Sequence, residues 1–275
     1  MKALPRLSAS RRRALWLVLA ALTLLSATLH TVALFTAMDE IGYFQSSAVS
    51  VILFSVLCGL GILCCVAFFF LINNKDVVRE PRSLPMPRFI GTAAAALATC
   101  VTALFLIFRT SALPTPTPFN LLVALALLCA TVYFALRLGA RTTTTTVLWG
   151  YGAILSAALS LVLTYFDRYT QMNAPHKLAF HVCMLAVMFA LLLEQRDLLG
   201  RPLSRLCAGC TALATFLCTV FSLPAIIAFV GGVYDDPFYL FFDILTFGFA
   251  AYFGTKCVQY ARFSAPDEEV THERL

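Results

Sequence analysis

Charge is scarce in this chain: Asp, Glu, Lys and Arg make up 12% of its 275 residues, about half of what a water-soluble domain carries. Without polar residues at short intervals no surface suited to water can be built, so a soluble globular fold is a poor reading. Catalytic signatures are missing as well. There is no Walker-type Gly-Lys-Ser/Thr loop, no His-Glu-x-x-His, no Gly-x-Ser-x-Gly and no Gly-x-Gly-x-x-Gly after a strand. Nothing therefore supports ATP hydrolysis, zinc proteolysis or dinucleotide chemistry. An intramembrane enzyme is disfavoured, and no cofactor is called for. The net charge of +6 lacks the basic stripe interleaved with aromatics that nucleic acid binding requires, so no nucleic acid partner is expected.

Hydrophobic residues, at 60%, fill the space, and mean hydropathy is +0.86. Apolar runs of roughly 18 to 25 residues recur from end to end, each long enough to cross about 30 Å of hydrocarbon as a helix. They predict an all-α, polytopic transmembrane bundle of about eight helices, near 14–36, 48–72, 89–108, 119–138, 146–166, 178–194, 207–231 and 238–260. Residues 1–263 read as one transmembrane domain and 264–275 as a polar cytoplasmic tail. Each break carries the Pro, Gly or charge that stops a helix, as in Pro114-Thr-Pro-Thr-Pro118 and Asp235-Asp-Pro237. Arg11, Arg12 and Arg13 before the first run resemble a secretory n-region, but the run is too long for a signal and further spans follow. It reads as an uncleaved helix.

Orientation follows from the basic residues. Under eight spans, seventeen of the twenty Lys and Arg fall on the side of the N-terminus, leaving Arg109, Arg168 and Lys177 opposite. The positive-inside rule then places both termini in the cytoplasm, with a plasma or inner membrane as the expected location.

Seven of the ten cysteines sit inside apolar runs, where they act as small hydrophobes. Cys207-Ala-Gly-Cys210 has redox-motif spacing without the strand-helix context or two further ligands that a metal would need. Gly91 to Ala98 and Ala250 to Gly254 are stripes of small residues suited to close helix contact. Pro224, mid-span, predicts a kink. A duplicated four-plus-four architecture has only a short internal match to support it, between 34–39 and 163–167.

Polar groups at membrane depth are costly, which makes them the candidate site. His30, His181 and Asp243 fall within spans near the outer side, and Asp39, Glu40 and Asp167 stand just outside them. Tyr43, Phe44, Tyr165, Phe166, Tyr169, Tyr234, Phe238 and Tyr239 are interleaved with these acids. Two readings stay open. One is an acidic, aromatic-rimmed pocket for a cation, an amine or a proton, with imidazole and carboxylate also suited to a transition metal. The other is an interfacial aromatic belt with acids that avoid the positive face. Asp243, flanked by Phe241, Phe242, Ile244 and Leu245, is least explained by loop geometry. The functional expectation is a small permease or transport accessory subunit. The alternative is a non-catalytic sensor or assembly partner that binds another membrane protein through its outer loops.

Overall fold

The computed structural model describes residues 9–39, 43–45, 47–71, 86–113, 115–139, 144–167, 170–171, 174–200, 203–233 and 236–263. Among them are eight long α-helices: α1 (Ala9–Thr36), α2 (Val49–Leu71), α3 (Met86–Phe108), α4 (Thr117–Leu138), α5 (Thr144–Tyr165), α6 (Pro175–Leu198), α7 (Ser204–Val230) and α8 (Pro237–Phe263). All eight are long and apolar enough to span a membrane, which makes this a multi-pass integral membrane protein. The tail 264–275 lies outside the described residues.

Six helices close a ring. α3 packs on α4, α4 on α5, α5 on α6, α6 on α7, α7 on α8, and α8 returns to α3. α1 and α2 form a hairpin seated outside this ring, mainly against α7. Because α1 packs on α7 and not on α3 or α4, the packing does not divide into two four-helix halves. Hydropathy follows position. α2, at a mean hydropathy of 2.8, is the helix most exposed to lipid, whereas α8, at 1.3, is the most buried and can carry polar groups.

The small-residue stripes meet each other. Gly91 on α3 is so close to α8 that a Cβ there would lie 2.7 Å from the Ala251 carbonyl oxygen, and a Cβ on Gly248 of α8 would collide with that of Ala98. Without side-chain bulk the two backbones approach, and Thr102 donates across the seam to the Phe241 carbonyl at 3.0 Å. All ten cysteines are free thiols.

Trp16 near the start of α1 stacks with Tyr260 near the end of α8, so these two ends share one face of the bundle, here called the terminal face. The connections α1–α2, α3–α4, α5–α6 and α7–α8 lie at the opposite, loop face.

Apart from α2 the helices are longer than the apolar runs suggest, and two basic residues expected outside the spans, Arg88 and Lys177, lie inside them. Arg88, Arg137 and Lys177 are buried on α3, α4 and α6. The reason is local. Pro175 begins α6, where a missing N–H costs nothing, so Lys177 falls in its first turn and donates to the Asp167 and Thr170 carbonyls, both at 3.2 Å. At the terminal face Glu194, expected as a helix-ending charge, sits inside α6 and pairs with Arg137 and Lys256.

A candidate cation cavity at the loop face

On the loop side, α1, α2, α6, α7 and α8 surround a cavity of about 210 Å³. His30, His176 and Asp243 all line it, and Phe44, Phe54, Phe180 and Phe221 supply aromatic walls. It sits at the seam between the α1–α2 hairpin and the six-helix ring.

His30 is oriented by the proline in α7. Residue 224 would ordinarily donate its N–H to the Val220 carbonyl four residues back, but proline has none. That carbonyl turns to His30, whose Nδ1 lies 2.8 Å away and must be the donor. The tautomer is thereby settled: Nδ1 carries the hydrogen and Nε2 is left as an acceptor. Phe54 stacks on the ring at 4.5 Å and Phe221 meets its edge at 5.4 Å, so the imidazole is clamped as well as hydrogen-bonded.

Asp243 comes from the second turn of α8 and is 7% exposed. Its nearest polar neighbour is His176, with Nε2 3.5 Å from Oδ2, within ion-pair range but too long for a good hydrogen bond. Among the described residues no protein donor hydrogen-bonds the Asp243 carboxylate. A buried carboxylate in that condition is costly unless a proton, water or a cationic guest completes it. Thr246 and Ser222, also in the lining, donate back to the Phe242 and Cys218 carbonyls of their own helices. The cavity therefore offers mostly acceptors, a carboxylate, His30 Nε2 and hydroxyl lone pairs, alongside the His176 imidazole, which carries an N–H of its own.

Behind the cavity, Tyr239 meets the edge of the His176 ring at 4.8 Å and donates its hydroxyl to Asp167 Oδ2 at 2.7 Å. Asp167 is buried, and the residues lining the cavity do not include it. Asp39 accepts from the Tyr43 backbone N–H at 2.7 Å, a loop-forming role outside the lining. Tyr43 in turn donates to Gln171 at 2.6 Å, which ties the α1–α2 and α5–α6 connections together above Phe44. Glu40 lies outside the described residues.

Of the three histidine and aspartate side chains expected within spans, the structure brings His30 and Asp243 together and leaves His181 apart. His181 is half-buried and bonds Thr164 on α5 at 3.0 Å. His176, two residues before the expected start of the sixth span at 178, lines the cavity instead. Five residues along an α-helix turn it by about 140°, so 176 and 181 cannot share a face. Pro175 held the signal: a helix starting there puts 176, 179, 180 and 183 on one stripe, and all four line the cavity.

Among the described residues no three His, Cys, Asp or Glu side chains are placed to hold a metal ion. A transition-metal reading of the cavity thus lacks a ligand set. No protein-family model matches this chain, and neither a curated protein nor a solved structure does.

Proposed function

We propose that the protein is a small permease or transport accessory subunit that accepts a small organic ammonium ion in the loop-face cavity. Asp243 is the counter-charge. The observation that carries this is a carboxylate enclosed by four phenylalanines and lacking a hydrogen-bond donor from the described residues. An ammonium group supplies both missing parts, N–H donors for Asp243 and His30 Nε2, and a positive charge attracted to aromatic faces. At about 210 Å³ the cavity is smaller than the roughly 300–1,000 Å³ of drug-sized sites, which favours a guest of few heavy atoms. The distribution of Lys and Arg supports cytoplasmic termini, and hence an outward-facing cavity.

A second polar cluster supports transport over simple binding. Near the terminal face Glu194 accepts from Tyr252 and pairs with Arg137 and Lys256, while Gln195 donates to Tyr133 at 3.1 Å. Between the two clusters lies a buried apolar layer that includes Phe134, Met184, Leu191 and Phe249. One end is open to a guest and the other is plugged by ions.

The test uses the protein reconstituted in lipid nanodiscs and titrated calorimetrically with methylammonium, dimethylammonium and tetramethylammonium, with tert-butanol as a neutral control. Binding of at least one ammonium, abolished in Asp243→Asn while the unfolding midpoint is kept, is the expected result. Equal binding of tert-butanol, or undiminished ammonium binding by Asp243→Asn, would rule the proposal out. Uptake of labelled methylammonium into proteoliposomes then separates permease from accessory subunit.

The Tyr43–Gln171 tie favours one other reading, a sensor or assembly partner, because it joins two loops into one composite surface. In that case changes in 37–47 or 167–177 would abolish capture of a membrane protein partner, and Asp243→Asn would not.

A further inference from the structure

A larger hollow lies at the other end of the molecule, between α1, α7 and α8, on the side facing the bilayer. Its volume is about 720 Å³, and small residues make it: Ala20 on α1, Thr215 on α7, Gly254 and Cys257 on α8. Toward the loop face α1 lies close against α7, with His30 bonded to Val220 and Phe35 against Gly231. Toward the terminal face these small side chains leave a gap. The hydroxyls in the gap ask for no guest: Thr23 donates to the Leu19 carbonyl at 2.7 Å and Thr215 to that of Thr211 at 2.8 Å. The walls are thus effectively hydrocarbon.

One charge marks the mouth. Arg13 lines the groove at its terminal-face end, is solvent-accessible, and has no ion-pair partner among the described residues. Trp16, one turn further along, also lines it, and an indole at that depth is a usual marker of the headgroup level. From Arg13 to Leu24 the groove follows eleven residues of α1, about 16 Å at 1.5 Å per residue, which is half of a roughly 30 Å hydrocarbon core. It therefore reaches from one interface to the bilayer midplane.

We propose that this groove is a binding site for one phospholipid with an anionic headgroup, taken from the leaflet at the terminal face. The phosphate lies at Arg13 and an acyl chain runs past Ala20 to Leu24. The charge at one end and its absence at the other suit an amphiphile of one-leaflet length.

The test is native mass spectrometry of the full-length protein released from nanodiscs made of equal parts phosphatidylglycerol and phosphatidylcholine. One retained phosphatidylglycerol per chain is expected. Arg13→Gln should keep a bound lipid but lose the preference for phosphatidylglycerol by about five-fold, the worth of one Arg near an anionic headgroup. Ala20→Phe should remove the retained lipid, and because Ala20 is exposed the unfolding midpoint in lipid-free detergent should stay unchanged. Equal retention of both lipids by the wild type, retention unaltered by Ala20→Phe, or a dimer as the sole species would each overturn the site. None of these measurements involves Asp243, so they stand or fall apart from the ammonium cavity.

Discussion

Glu194 is buried between two cations. Its Oε1 is bonded to Arg137, Lys256 and Tyr252 together, and Lys256 also lies over the Tyr252 ring at 4.8 Å. Removing the carboxylate leaves two buried positive charges facing each other, a change that costs about 3–5 kcal/mol in buried pairs. Glu194→Gln should lower the thermal midpoint in detergent sharply, and Glu194→Gln combined with Lys256→Met should restore part of the loss. A midpoint within a degree or so of wild type would mean that the cluster carries no stability. Asp243 differs in kind, since the group beside it is an imidazole, His176 at 3.5 Å, and not a permanent cation. At this scale the sequence was legible where a polar group interrupts hydrocarbon, as with Asp243 between phenylalanines and His30 in the first run. It was not legible for Glu194, Arg137 and Lys256, because charges near the ends of apolar runs look alike whether they face water or each other. His181 stood out for the same reason as His30, yet only the starting residue of α6 decides which of 176 and 181 faces inward.

The proline inside α7 is a chemical device. Proline at 224 frees one carbonyl, and His30 from another helix occupies it. Pro224→Ala would restore an N–H able to reclaim Val220, so His30 would lose its anchor and with it the tautomer that turns Nε2 into an acceptor. The helix itself gains, since proline in a helix interior costs about 3 kcal/mol relative to alanine. Stability and binding should therefore separate: Pro224→Ala is expected to unfold at the same or a higher temperature while ammonium binding weakens several-fold. Unchanged binding in calorimetry would show that the His30 anchor is unimportant. Element positions were readable from hydropathy because each span needs about 20 apolar residues whatever its neighbours are. Their ends were less so, since a helix continues past the hydrocarbon edge wherever its terminal charges find partners, as α6 does beyond Glu194, which pairs with Arg137 and Lys256. Pro224 was visible in the sequence, but the side chain that uses the carbonyl it frees, His30 on α1, 194 residues away, was not.

Over the whole molecule, an even number of spans brings the start of α1 and the end of α8 to one face, where Trp16 meets Tyr260. Tags at both ends should be reached by protease on the same side of sealed vesicles, and the bias in Lys and Arg predicts the cytoplasmic side. Labelling on opposite sides would require an odd number of spans. The closed ring of α3–α8 and the outlying hairpin were beyond sequence reading, because side-by-side neighbours are chosen by small-residue contacts such as Gly248 with Ala98, and several stripes of that kind occur. The hairpin's attachment to α7 also sets a schedule. α1 and α2 leave the ribosome first, but the helix they rest on is the seventh, ending about 160 residues after Leu71. At roughly 5–20 residues per second, the pair waits on the order of ten to thirty seconds in the membrane before its mate has been synthesised. Throughout that interval His30 is an imidazole in lipid whose future acceptor, the Val220 carbonyl, does not yet exist, so the newborn chain passes through a stage in which this polar group depends on whatever the insertion machinery can lend it.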